Sequence, residues 1–598
     1  MITVADYVAF FLAKNKIKHV FGMTGGASLH LIHAISRRID IEMVFTHHEQ
    51  SAAMCADAYA RVSKNLGAAI ATSGPGATNL ITGICCSFFD SIPVMYITGQ
   101  VSTSRSKGNT GVRQIGFQET DIVEICKPIT KYAKKLLDPA NIKEELEKSL
   151  HISLSGRQGP VLIDIPDDLQ RVKIDPEKLR SYCASDSYDN GPGRISNCEL
   201  SKCFEFLAKA KRPVVILGWG ARLSAADVLV KELLECLNFP VLTTWAAADM
   251  LSFSESNLVG NFGTHGSRAG NFTVQNSDLV LVLGSRLDTH ATGSPPSSFA
   301  RDAKKIIIDI DQCEIDKFAK IGIKVDYAYC GSVGNFISDF LSKFDKKTLP
   351  DITSWKGLIG AWKAKYPIGA LTESGNKVDP YILMKSISRQ SKSGDQFVSD
   401  TGSALAWAMQ AFEFKEDQRF IHAFNNTPMG YALPGAIACA LHDPSKRVIC
   451  IVGDGSMQLN IQELATIAHH KLNIKIFVVN NSGYSMIKQT QDQWLNSNYV
   501  GSSHFGGLSM PDFSAIAYAY GIASVKIENN LEVGPVIDSV FNSSGPILCD
   551  VCIPEDFRVT PQVKFGYPIE DGEPLLDRAE FISNMLVKPI SASLNGFD

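Results

Sequence analysis

The sequence contains no apolar run long enough to span a bilayer, and its first residues show neither a basic-then-apolar leader nor an Arg/Ser-rich transit pattern. These absences predict a cytoplasmic protein without a membrane partner. An excess of charge of one sign is also missing. The 58 Lys and Arg nearly balance the 62 Asp and Glu, so no overall field draws the chain to nucleic acid or to an anionic surface. Cys549 and Cys552 have the spacing of half a zinc site, but no second Cys or His pair accompanies them, and they are expected to be core residues. The fourteen cysteines are scattered, often inside apolar stretches such as Ile84-Cys85-Cys86-Ser87-Phe88, as reduced core thiols are. A small-molecule substrate is what these exclusions leave.

What the chain does have is an ordinary folded composition, 45% hydrophobic and 20% charged over 598 residues, which is too long for one core. Short β-branched runs alternate with helical patterns: Lys18-His19-Val20-Phe21, residues 68–72, 94–98 and 161–165, then 213–217, 279–283 and 305–309, then 448–452 and 474–479. Such alternation predicts α/β architecture with three doubly wound parallel sheets in series. The expected domains are 1–175, 195–345 and 376–555, followed by a tail at 556–598 that wraps the surface or a partner subunit. Polar stretches near 183–197 and 343–356 read as linkers.

The strongest local signal is Gly453-Asp454-Gly455-Ser456 directly after one apolar strand, with Asn480-Asn481 closing the next. In a parallel sheet these turns meet at one edge. A carboxylate, an amide oxygen and a backbone carbonyl are hard ligands suited to magnesium, and the glycines let backbone approach a diphosphate. Two ordinary strand-to-helix turns would look similar. The stretch Gly453 to Asn481, however, resembles the thiamine-diphosphate motif of the acetolactate synthase, pyruvate oxidase and pyruvate decarboxylase superfamily. The resemblance implies a metal set of Asp454, Asn481 and the main-chain carbonyl of Gly483. His47-His48-Glu49-Gln50 resembles the family segment whose Glu contacts the cofactor's aminopyrimidine ring from a neighbouring subunit. That makes Glu49 the proton partner of the ring.

The same resemblance implies further cofactor contacts at Pro75, Asn79, Gly402, Met429, Gly453, Gly455, Ser456, Tyr484 and Met486, with Met429 as the apolar prop under a bent cofactor. Gly26, His48 and Gln118 are its remaining catalytic candidates, the last two to polarise an acceptor oxygen or shuttle its proton. Arg157 of the first domain and, in the middle domain, Gly218, Gly220, Gly263, Thr264, His265, Gly284, Arg286, Asp288, Asp309 and Ile310 resemble flavin-contacting segments and imply FAD in a structural role. Ser332 stands where the family has an Asp near the adenine. The correspondence runs from about Val4 to Pro554, across all three domains.

Three positions leave the acetolactate pattern. His290 replaces an Arg that recognises the carboxylate of a second 2-oxo acid, Thr490 replaces a Trp, and Asp167 replaces a Lys, and all three are expected around one acceptor subsite. Losing a fixed guanidinium and adding a carboxylate disfavours an anionic acceptor, and Thr490 opens volume. The resemblance therefore implies a thiamine-diphosphate, Mg2+ and FAD enzyme, at least a homodimer and expected as a homotetramer, that decarboxylates pyruvate and passes the two-carbon unit to a carbonyl acceptor. A nucleotide-linked keto-deoxysugar is the preferred acceptor. The alternatives are authentic acetolactate synthesis, an FAD-linked pyruvate oxidase, a carbon–carbon lyase and a non-catalytic cofactor-binding protein.

Overall fold

Each apolar run singled out above forms a strand, and most of these strands are buried on both faces, as parallel strands under covering helices must be. The computed structural model describes residues 1–184, 194–369 and 376–594. Its first sheet comprises β1 (His19–Gly22), β2 (Glu42–Phe45), β3 (Gly67–Ala71), β4 (Val94–Gln100), β5 (Tyr132–Lys135) and β6 (Val161–Pro166), in the order β2-β1-β3-β4-β6-β5. The second comprises β7 (Pro213–Leu217), β8 (Val241–Thr243), β9 (Leu258–Asn261), β10 (Leu279–Leu283), β11 (Lys304–Asp309) and β12 (Tyr327–Cys330), in the order β9-β8-β7-β10-β11-β12. The third comprises β13 (Gln396–Ser399), β14 (Arg419–Ile421), β15 (Val448–Gly453), β16 (Ile474–Asn480), β17 (Ala523–Ile527) and β18 (Ile547–Cys552), in the order β14-β13-β15-β16-β18-β17.

The pairings within these sheets are parallel. The first and third sheets share one strand order, whereas the second has the order of a dinucleotide fold. In each sheet the order reverses at one point, between β1 and β3, between β7 and β10, and between β13 and β15. There two successive loops diverge and leave a crevice at the carboxyl edge. Gly26 and Pro75 follow the first pair of strands, Gly218 and Gly284 the second, Gly402 and Asp454 the third.

The first and third sheet units share a core. The helix Glu49–Ser63 is lined with Ala52, Ala53, Ala56 and Ala60, and packs on the helix Ala432–His442, which brings Gly435, Ala436 and Ala440. Small side chains let the two backbones approach closely enough for the Cys55 thiol to donate to Pro434 O at 3.1 Å.

One expectation about a connecting segment is revised. The stretch 343–356, expected to be a linker, ends in the helix Thr353–Lys365, whose Trp355 and Trp362 are buried in the core of the second sheet. The Trp355 indole donates to Pro213 O at 3.2 Å and that of Trp362 to Asn584 Oδ1 at 2.9 Å. The tail, expected to wrap the surface or a partner subunit, packs on this same unit: Val563, Ile569 and Phe581 enter its core. Buried Glu570 pairs with Arg301 at 2.6 Å and buried Asp571 with Arg268 at 2.9 Å. The other expected linker lies mostly outside the described residues, at 185–193. Among the described residues no helix is long and apolar enough to cross a membrane.

Asp164 on β6 supplies the loop-holding contact of the first sheet. It accepts from the Thr98 hydroxyl at 2.7 Å and from Gln100 Nε2 at 3.0 Å, and Gln100 Nε2 also reaches Thr120 O at 2.7 Å. Burial pushes its carboxyl up to about 6, against the pull of those two donors. A carboxyl raised above its unfolded value of 3.8 weakens the fold as it ionises, so its contribution is complete below pH 4 and is lost as pH rises through about 6. Asp164→Asn, whose amide can bond both partners, is expected to raise the melting temperature at pH 8, reflecting up to about 3 kcal/mol. That gain should shrink steadily on acidification toward pH 4, as read by calorimetry across the pH series.

Candidate active site

At the first sheet edge, Glu49 opens the helix Glu49–Ser63 and is 8% exposed. His48 is its N-cap, with Nδ1 accepting from Gln50 N at 3.0 Å, so a neutral His48 carries its proton on Nε2. Glu49 Oε2 accepts from Asn79 Nδ2 at 2.9 Å. Asn79 ends the short helix begun by Pro75. Gly76 leaves room for the carboxylate, because a Cβ there would sit 3.1 Å from Glu49 Oε1. Gly26 faces open space, whereas a Cβ on its neighbour Gly25 would strike Thr72 at 2.4 Å.

Gln118 is exposed, adopts φ 63°, and lies against Gly74. What holds its loop is Glu119, a residue given no role by the sequence argument. Glu119 accepts from Lys107 N at 2.6 Å, Ile115 N at 3.0 Å and the Ser106 hydroxyl at 3.0 Å. Burial would raise its pKa, but these donors outweigh it and hold the carboxylate below its usual range.

At the third sheet edge, β15 runs through Gly453 into the helix Asp454–Met457. Asp454 is 2% exposed, with Oδ1 accepting from Gly455 N at 2.7 Å and Oδ2 from Gly483 N at 3.0 Å. Burial pushes this carboxyl up to about 6. Asn481 is buried, and its Oδ1 has no hydrogen-bond partner among the described residues. An acceptor stranded in this way beside a buried carboxylate suits a hard cation, which makes the donor set of Asp454, Asn481 and Gly483 fit magnesium. Gly455 is obligatory, since a Cβ would lie 2.0 Å from the ring of Tyr484.

Gly402, at φ 76°, caps the helix Ser403–Ala411, and a Cβ there would sit 3.9 Å from Met486 Cβ. The buried Ser403 hydroxyl also has no partner among the described residues and suits a phosphate oxygen. Met429 is half-buried, and the turn after it is organised by Asp400. This fully buried carboxylate accepts from Gly430 N at 3.0 Å and Ala432 N at 2.9 Å, and also from the Ser456 hydroxyl. The available sequence signal was Asp400-Thr401-Gly402 at the end of a strand beside the reversal point.

The second sheet edge opens into a cavity of about 590 Å³. Arg157, Gly220, Gly284, Arg286, Asp288, Asp309 and Ile310 line it, as does Ser332. Gly218 and Gly284 are crowded: a Cβ on Gly218 would meet Gly284 O at 2.3 Å, and Gly284 itself adopts φ 62°. Such close backbone turns around a long cavity fit a dinucleotide. Arg157 pairs with Asp311 at 2.8 Å and Glu314 at 2.9 Å, and Arg286 with Glu314 at 3.0 Å. Gly218, Gly263, Thr264 and His265 lie outside the cavity lining. Thr264 instead joins His290 O (2.8 Å) to the tail, where Val563 N donates to its carbonyl at 2.7 Å.

The three departing positions are not brought together within the chain. His290 lines this cavity, with Nε2 2.9 Å from Nδ1 of buried His265 and its ring 4.3 Å from that of Trp245. Burial lowers both histidines, so neither is a fixed cation. Thr490 bonds back to Met486 O at 3.1 Å. Asp167 opens a short helix and accepts from the Ser102 hydroxyl. No hydrogen bond, ion pair or ring contact among the described residues links the three.

Three family models match the chain: the N-terminal TPP binding domain of thiamine pyrophosphate enzymes over residues 2–125, their central domain over 200–340, and their C-terminal TPP binding domain over 400–551. The acetolactate synthase large subunit of Cyanidium caldarium is 33% identical over 570 residues, covering 93% of this chain and 94% of that protein. Acetolactate synthase 1, chloroplastic, of Oryza sativa subsp. japonica is 30% identical over 584 residues, with 95% and 87% covered. The large subunit of Corynebacterium glutamicum is 31% identical over 555 residues, with 92% and 86% covered. The chain belongs to the acetolactate synthase-like family of thiamine-diphosphate-dependent carboligases.

Proposed function

We propose that the enzyme takes pyruvate as donor and passes its two-carbon unit to a carbonyl acceptor that is not a 2-oxo acid, with a nucleotide-linked keto-deoxysugar as the favoured class. The observation that carries this is His290. Where an acceptor carboxylate needs a permanent, bidentate cation, the chain offers an imidazole set edge-on to Trp245, with Nε2 already engaged by His265. Asp167 adds negative charge, and Thr490 is small. A second reading, condensation of two 2-oxo acids, draws support from the names of the relatives above.

Thiamine diphosphate, when bound, supplies the carbon nucleophile and the electron sink for decarboxylation. Magnesium would be held by Asp454, Asn481 and Gly483, and FAD by the cavity between Gly284 and Asp309. Glu49 holds or gives a proton at the cofactor's pyrimidine, and Met429, fixed through Gly430 and Asp400, props the ring. His48 Nε2 and Gln118 are the groups proposed to serve the acceptor oxygen. A homodimer or homotetramer is proposed, supported by the largely exposed Phe117 and Phe505 on the loops flanking Gln118 and the Asn481 segment. Fourteen free thiols support a cytoplasmic setting.

The deciding assay is mass spectrometry and NMR of products formed from pyruvate, thiamine diphosphate, magnesium and FAD, with and without nucleotide-linked 4-keto-deoxysugars. An acetyl-branched sugar made at the expense of acetolactate is expected. Efficient acetolactate formation with the sugars untouched would overturn the acceptor assignment in favour of the second reading. Glu49→Gln is expected to lower turnover by roughly 10²-fold or more while the protein keeps its melting temperature. Unchanged turnover in that variant would remove Glu49 from the chemistry.

A further inference from the structure

The helix Ser485–Trp494 follows the Asn481-Ser482-Gly483 turn directly, and its first turn carries a lysine. The Lys488 side chain is 2% exposed and leans back toward the helix start, as helical side chains do. Its Nζ lies 3.1 Å from the point that a Cβ on Gly483 would occupy. Gly483 N donates to Asp454 Oδ2, so this ammonium sits against the same turn as the proposed metal donors. No hydrogen bond among the described residues reaches the ammonium. Its nearest carboxylate is Glu555 at 3.8 Å, on a side chain that is 54% exposed. Asp454 attracts the ammonium through its charge but forms no ion pair or hydrogen bond with it among the described residues.

A buried ammonium without a close acceptor is costly, and a fold keeps one only where an anion completes it. Burial lowers its pKa, and nearby Arg558 pushes the same way, against the pull of Glu555. The unpartnered Asn481 Oδ1 and Ser403 hydroxyl stand at the same sheet edge. Together, a stranded acceptor, a stranded hydroxyl and a stranded ammonium describe a site for a multiply charged phosphate ester plus one metal ion.

We infer that Lys488 is a second cation for the diphosphate end of the cofactor, carried by the protein and donating an N–H to a phosphate oxygen beside the magnesium donors; this rests on the cofactor placement proposed above. Its consequence is a diphosphate site that keeps part of its hold without metal.

The test is calorimetric titration of the full chain with thiamine diphosphate and with inorganic pyrophosphate, in magnesium and in EDTA, for wild type, Lys488→Met and Lys488→Arg. Wild type and the Arg variant are expected to bind in both media. The Met variant should bind about tenfold more weakly with magnesium and lose detectable binding in EDTA. Cofactor-free Lys488→Met should melt no lower than wild type, because removing an uncompensated buried charge does not weaken a fold. Equal affinities for wild type and the Met variant in both media would overturn the inference. So would a Met variant that melts lower yet gains the full stabilisation from cofactor, which would assign Lys488 to the scaffold through Glu555. A wild type that binds neither probe in magnesium would instead overturn the cofactor placement itself.

Discussion

One buried guanidinium holds the three sheets in register. Arg61, 5% exposed, lies between Asp57 (2.7 Å) and Asp90 (2.8 Å), all three from the first sheet unit. Tyr431 of the third unit donates to Asp57 at 2.6 Å, and Trp219 of the second donates to Asp90 O at 2.9 Å with its ring beside the guanidinium. Removing one member of such a cluster leaves charges buried and unpaired, at a cost of about 3–5 kcal/mol. The cluster also sets positions at both candidate sites. Asn425 N donates to Asp90 at 3.0 Å in the segment leading to Met429, and Ser91, next to Asp90, accepts from Arg157 at the cavity wall. A shift of Arg61 would therefore move the segment of Met429 and the cavity together.

The sheets were legible because parallel strands buried on both faces must be nearly continuous in apolar residues. Pro213–Leu217 and Leu279–Leu283 occur at the residues the composition pointed to. Short edge strands such as Arg419–Ile421 and Ala523–Ile527 were not read, since partial exposure dilutes the pattern. At the site, Asp454 and Asn481 were legible because glycine-flanked turns after adjacent strands must meet. Asp400 and Glu119 were not, because what makes them important is the set of distant amides they collect, and nothing local to a carboxylate reveals those. The tail was expected to wrap the surface or a partner subunit, but its anchors, Arg268 and Arg301, lie far upstream in the sequence and could not be read.

Strand order gives the three crevices a common cause. In each sheet, loops leaving the reversal point part in opposite directions, so backbone amides and helix starts are left facing a gap. The first and third sheets, with one shared order, leave gaps lined by Glu49 and by Asp454. The middle sheet, with the dinucleotide order, leaves the cavity of about 590 Å³. Glycines are obligatory where turns cross that gap closely, as at Gly218 against Gly284 and Gly455 under Tyr484.

The histidine pair bears on acceptor choice through its proton count. With Nδ1 of His265 and Nε2 of His290 2.9 Å apart, one nitrogen must donate and the other accept, so at least one ring is neutral; protonating both would set two cations in contact inside a buried wall. Burial disfavours even the first charge. A wall that carries at most one shared proton offers hydrogen bonds and, with the edge-on Trp245 ring, an aromatic surface, and it holds no fixed cation. The acceptor class proposed above therefore rests on the partner at 265 as much as on residue 290 itself.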